Sequence, residues 1–200
     1  MKSYFKKEMA LFLTLLALTT GCGREAPPAE EGKIPVAASF GAMKKLTEAI
    51  GGDAVSISVM VPEGIDPHDF EPRAGDLIRL KQARVFVYNG MGMEHWAEKA
   101  LQSAGAENQV VVKASEKVAP IPLEDKEERE EHGDYDPHTW LGLSEAKEEA
   151  RAIRDGLIAA SPENRDLFMK NYDTFAKSID SLQQEYREKL AKAPPERTGH

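Results

Sequence analysis

Short apolar runs alternate with helical patterns along the middle of this chain. Residues 34–39, 55–60, 84–88 and 109–113 are rich in valine, isoleucine and aromatic side chains and have the length of strands. Between them, residues 42–50, 75–82 and 94–103 read as helices. Strand alternating with helix requires crossover connections, which predicts an α/β fold with a mainly parallel four-stranded sheet flanked by helices. In open sheets of this kind ligands sit beyond the carboxyl ends of the strands. That rim receives residues 61–70, after the second strand, and 89–93, after the third.

Helical signals resume at Ser144, a good N-cap, and run to Ile158. Ser161-Pro162-Glu163 opens another helix with a cap, a first-turn proline and an acid near the positive end. Phe168, Tyr172, Phe175, Ile179, Leu182, Tyr186 and Leu190 then recur in steps of three or four. They form one apolar stripe on a helix of about thirty residues, or roughly 45 Å. Pro194-Pro195 stops it.

The amino terminus departs from this pattern. Lys2, Lys6 and Lys7 precede an apolar core over residues 9–18, too short for a comfortable membrane span, and the segment ends Thr19-Thr20-Gly21-Cys22. Cys22 is the only cysteine, so an intramolecular disulfide is excluded. A lone thiol after a small residue at a cleavage point reads as a bacterial lipobox, although Thr19 stands where leucine is commoner. The expected division is a lipoprotein signal peptide over 1–21, a flexible proline- and glutamate-rich tether over 22–32, a lobe over 33–160 and a long bridging helix over 161–193. A formal net charge of -8 argues against broad nucleic-acid binding, which demands a basic surface. Residues 114–135 are expected to form a long acidic loop, a solvated segment that also has the charge to collect cations, with His132 as an accessory ligand.

Candidate chemistry centres on a repeated tripeptide, Asp66-Pro67-His68 and Asp136-Pro137-His138. A histidine just after proline sits on stiff backbone. Two such imidazoles, distant in sequence and both in loops, can converge on one metal ion, and neutral imidazole suits zinc and tolerates manganese beside carboxylates. Asp66 and Asp136 are candidates either to orient the rings or only to cap the local turn. His95 is read as a packing or surface residue within the 94–103 helix, and His200 is left unassigned. No phosphate-binding loop, dinucleotide fingerprint or nucleophile elbow is present, which disfavours an enzyme.

These segments carry a family resemblance. Val61-Pro62 through Asp66-Pro67-His68-Asp69-Phe70-Glu71-Pro72, then Asn89-Gly90 with Glu94 and Trp96, then Asp136-Pro137-His138-Thr139-Trp140-Leu141 resemble, in order and spacing, the zinc- and manganese-binding solute-binding lipoproteins of bacterial ABC importers. Gly142-Leu143 replaces the family's usual Asp-Pro, and Arg84 a common acidic residue. The resemblance implies two lobes joined by one rigid helix, with the ion held in the cleft between them. His68 and His138 would be the metal ligands of the first lobe. The remaining ligands would come from a second lobe beyond this chain, whose start residues 194–200 would mark. It further implies extracytoplasmic capture of zinc or manganese as the transported ligand, delivery to a membrane permease, lipid anchoring through Cys22 on the outer face of the cytoplasmic membrane or in the periplasm, and a monomer. The acidic loop with His132 favours zinc over manganese. Two other readings stay open: a surface adhesion or interaction lipoprotein on the same scaffold, and a secreted zinc hydrolase, which lacks a convincing third ligand and general base.

Overall fold

The computed structural model describes residues 32–106 and 108–192, with the side chains of Glu131 and His132 outside that description. The expected signal segment, Cys22, nearly all of the tether, and residues 194–200 also lie outside it.

Four strands, β1 (Ile34–Ala38), β2 (Val55–Val59), β3 (Val85–Tyr88) and β4 (Val110–Lys113), form one sheet in the order β2-β1-β3-β4. Every pairing is parallel. All four residues of β3 are buried, as expected for a strand covered on both faces that reads as an unbroken apolar run. Edge strand β4 instead exposes Val111. The strand order reverses direction after β2. Right-handed crossovers therefore put helix α1 (Gly41–Gly51) on one face, and α2 (Ala74–Gln82) and α3 (Ala97–Ala104) on the other. The connections leaving β1 and β3 consequently diverge, and open a crevice at the carboxyl ends of the two central strands.

Two further helices complete the first face. Helix α5 (Leu143–Ala160) packs on α1 and β4 through Ala150, Ile153 and Leu157, all fully buried. Its Gly156 permits close approach to the sheet, since a Cβ there would lie 2.2 Å from Val112 Cγ2. Helix α6 (Arg165–Ala191) docks against α1 and α5 by its first turns. Phe168 is fully buried there, Asn171 donates to the Ile50 carbonyl at 2.9 Å, and the Arg154 guanidinium lies over the Tyr172 ring at 4.5 Å. The apolar stripe then loses its cover, and Leu182, Tyr186 and Leu190 are exposed.

Three expectations need correction. The 94–103 helix starts later, as α3, so that Glu94 and His95 precede it. The Glu94 carboxyl is occupied in organising the preceding turn, in which Gly90, Met91 and Gly92 all have positive φ. The acidic segment is not all loop. Residues Lys126–His132 form a short helix, α4, because Asp125 caps it by accepting from the amides of Glu127 and Glu128. A β-bridge between Pro122 and Tyr135 closes the base of this excursion. The cap of α5 is Gly142 rather than Ser144, whose hydroxyl instead accepts from Gln183 on α6.

Candidate metal site

The crevice at the carboxyl ends of β1 and β3 gathers both Asp-Pro-His tripeptides, through one shared device. In each, the Asp carboxylate accepts from the histidine backbone amide two residues on, at 2.9 Å for Asp66 and at 2.9 Å for Asp136. The proline supplies the fixed φ that such a turn exploits. Each proline carbonyl is in turn held by a side chain from the connection after β3. Trp96 Nε1 donates to Pro67 O at 3.1 Å, and Asn89 Nδ2 donates to Pro137 O at 2.8 Å. Asn89 and Trp96 thus tie two loops, far apart in sequence, to one eight-residue segment.

The result brings the rings of His68 and His138 together, with centroids 5.8 Å apart and planes inclined at 71°. Zinc–imidazole bonds of about 2.0–2.1 Å place the centroids of two rings sharing one ion roughly 5–6 Å apart, so the pair fits a common cation. Both ring nitrogens of His68 are shielded from solvent. At His138, Nδ1 lies 2.8 Å from Asp136 Oδ1. That contact fixes the ring orientation. Asp136 therefore both closes its turn and orients its ring, whereas Asp66 holds the turn of the first tripeptide.

Other candidates fall less close. His95, exposed and just ahead of α3, has its ring centroid 6.3 Å from that of His68. It lines an open cleft of about 550 Å³ with His68, Phe70, Glu71, Trp96 and Lys99. The backbone of His132 ends α4, but its side chain lies outside the described part of the structure. Among the described residues no group of three or more His, Cys, Asp and Glu side chains is arranged to hold an ion.

Beneath the histidines lie two buried carboxyls. Glu94 receives the Ser39 hydroxyl at 2.6 Å and the amides of Asn89 and Gly90, each at 2.9 Å. Burial pushes its carboxyl above the usual range, and these donors pull it back. Gly90 adopts φ +87° to present its amide, and a Cβ there would meet the Lys113 side chain at 2.5 Å. Glu149, on α5, is fully buried beside Thr139, and burial pushes its carboxyl up to about 7. Neither Ser39 nor the Thr139–Glu149 pair was distinguishable from sequence, since only the tertiary fold brings them under the site.

The model of the family "Zinc-uptake complex component A periplasmic" matches residues 36–199. Among its relatives, the manganese ABC transporter substrate-binding lipoprotein PsaA of Streptococcus anginosus is 32% identical over 194 residues, which cover 94% of this chain and 62% of that protein. The zinc-binding lipoprotein AdcA of Streptococcus pneumoniae strain R6 is 28% identical over 196 residues, 94% of this chain and 39% of that one. A crystal structure of Zn(II)-bound AdcA from Streptococcus pneumoniae superposes with a TM-score of 0.71 at 28% identity, covering 81% of this chain and 34% of that one. The chain thus spans less than two thirds of the length of these relatives.

Proposed function

The chain belongs to the zinc-uptake complex component A family, and from that premise we propose that it captures a divalent transition-metal ion outside the cytoplasm for an ABC importer, with His68 and His138 as two of the ligands. Family members are substrate-binding proteins, not enzymes, so the hydrolase reading falls away. The observation that carries the reading is the pairing of two imidazoles 5.8 Å apart by matched turns, with one ring oriented by Asp136. The ion is cargo, bound and released unchanged.

We favour zinc over manganese as that cargo. Two neutral imidazoles form half of a typical zinc set, whereas manganese is better served by carboxylates and water. Relatives named for each metal belong to the same family, so family membership alone does not discriminate. The same reading includes lipid anchoring through Cys22, a monomeric binding protein and a membrane permease as the partner.

The test is uptake by whole cells. In a strain carrying His68→Ala or His138→Ala in place of the native chain, zinc accumulation from limiting medium should fall to that of a deletion strain. Normal zinc uptake with lost manganese uptake would reverse the metal preference. Normal uptake of both would remove the proposed role altogether.

A further inference from the structure

We propose that Glu149 is a neutral carboxylic acid in the folded protein, and that the proton it donates to Thr139 locks the His138 segment onto the sheet. The hydrogen bonds around Asn89 fix the direction of the donors. Its Nδ2 group donates to Gly90 O at 3.0 Å and to Pro137 O at 2.8 Å, which uses both amide protons. Reversing the amide would set an oxygen against two carbonyls, so Oδ1 must face Thr139 Oγ1, 3.2 Å away. Asn89 Oδ1 is therefore an acceptor.

Thr139 has one hydroxyl proton and stands between that acceptor and Glu149 Oε1. If Glu149 were ionised, both neighbours would demand the same proton. The Asn89 contact would then be two lone pairs opposed. Moreover, Glu149 Oε2 is buried with no hydrogen-bond partner among the described residues. Half of a carboxylate stranded in this way is costly, whereas the carbonyl oxygen of a neutral acid is much less so. The charged groups facing Glu149 are Glu94, from the connection after β3, and Glu145, one turn earlier on α5. Both are acidic and favour the proton further.

With the proton on Oε1, every donor finds an acceptor in one direction. Glu149 donates to Thr139, Thr139 to Asn89, and Asn89 to the carbonyl of Pro137, the residue before His138. Thr139 follows His138 directly, so the chain of bonds grips the histidine from both sides. Glu149 touches neither the ring nor any ion and acts as a positioning residue for His138. The protonation state rests on this geometry alone, while its consequence for metal capture rests on the function proposed above.

Two readouts separate these parts. The infrared spectrum of the 200-residue chain near pH 6 should contain the carbonyl stretch of a buried carboxylic acid, lost in Glu149→Gln. Its absence at every pH from about 5 to about 6 overturns the assignment, whatever the protein binds. For the positioning role, nitrogen-15 spectra should show the His138 Nδ1 proton held to Asp136 in the native chain and in Glu149→Gln, whose amide still donates to Thr139. Glu149→Leu, which cannot donate, should broaden that signal and weaken zinc binding about tenfold. Loss of the signal in Glu149→Gln as complete as in Glu149→Leu overturns the role, as does an unchanged signal in both.

Discussion

The protonated state of Glu149 has a consequence for stability that can be measured without any metal. Its carboxyl titrates near 4.5 in the unfolded chain and at about 7 in the fold, raised first by burial and then by the charges of Glu94 and Glu145. Between those values the folded protein holds a proton that the unfolded chain has released. Stability from this group is therefore fully present below about pH 4.5 and is lost as pH rises through about 7. At about 1.4 kcal/mol per pH unit, the loss is about 3 kcal/mol, a large share of the 5–15 kcal/mol typical of a domain. Glu94 is raised by burial as well, so the native chain alone would mix two contributions. The difference between native and Glu149→Gln isolates one. The assay is urea unfolding followed by the fluorescence of Trp96 and Trp140 at several pH values. Relative to Glu149→Gln, the native chain should lose about 3 kcal/mol from about pH 4.5 to about pH 8. A difference that stays constant across that range would show that Glu149 is ionised throughout, and would refute the donor count.

Other substitutions probe the scaffold and the site. Asp136→Asn should weaken zinc binding about 10- to 100-fold by calorimetry through loss of the bond to His138 Nδ1, and Asp66→Asn should cost less. Phe168→Ala should destabilise the domain by about 3–5 kcal/mol in urea unfolding, since this ring anchors α6 against α1 and α5. Gly90→Ala should cost at least about 1–2 kcal/mol, from its positive φ and from contact with Lys113, and should disorder the amides that feed Glu94.

Much of the fold was legible because buried parallel strands carry a strong signal. All four strands begin and end within a residue of the apolar β-branched runs, and the stripe from Phe168 to Leu190 marks α6. Two of the three errors share one cause, a carboxylate recruited by adjacent backbone amides. Glu94 resembles a helix opener in sequence, yet its carboxyl is spent on the turn at Asn89 and Gly90. Within the acidic segment, the charge run read as a solvated loop, but Asp125 supplies a cap that starts α4. At the site, the two histidines stand out by their repeated tripeptide. What holds them together does not: Trp96 reaching Pro67, and Asn89 reaching Pro137, are tertiary contacts without sequence periodicity. Glu149 is the extreme case. In a run of charged residues on α5 nothing separates it from Glu145 or Glu148 until the helix packs and buries it completely.

The central claim is that His68 and His138 grip one ion. Zinc titration of the 200-residue chain, followed by the nitrogen-15 signals of both imidazoles, tests it most directly. Both rings should respond together along one binding curve, and either His68→Ala or His138→Ala should remove the response of the remaining ring. Rings that respond at different zinc concentrations, or a survivor that still binds as the native chain does, would contradict it.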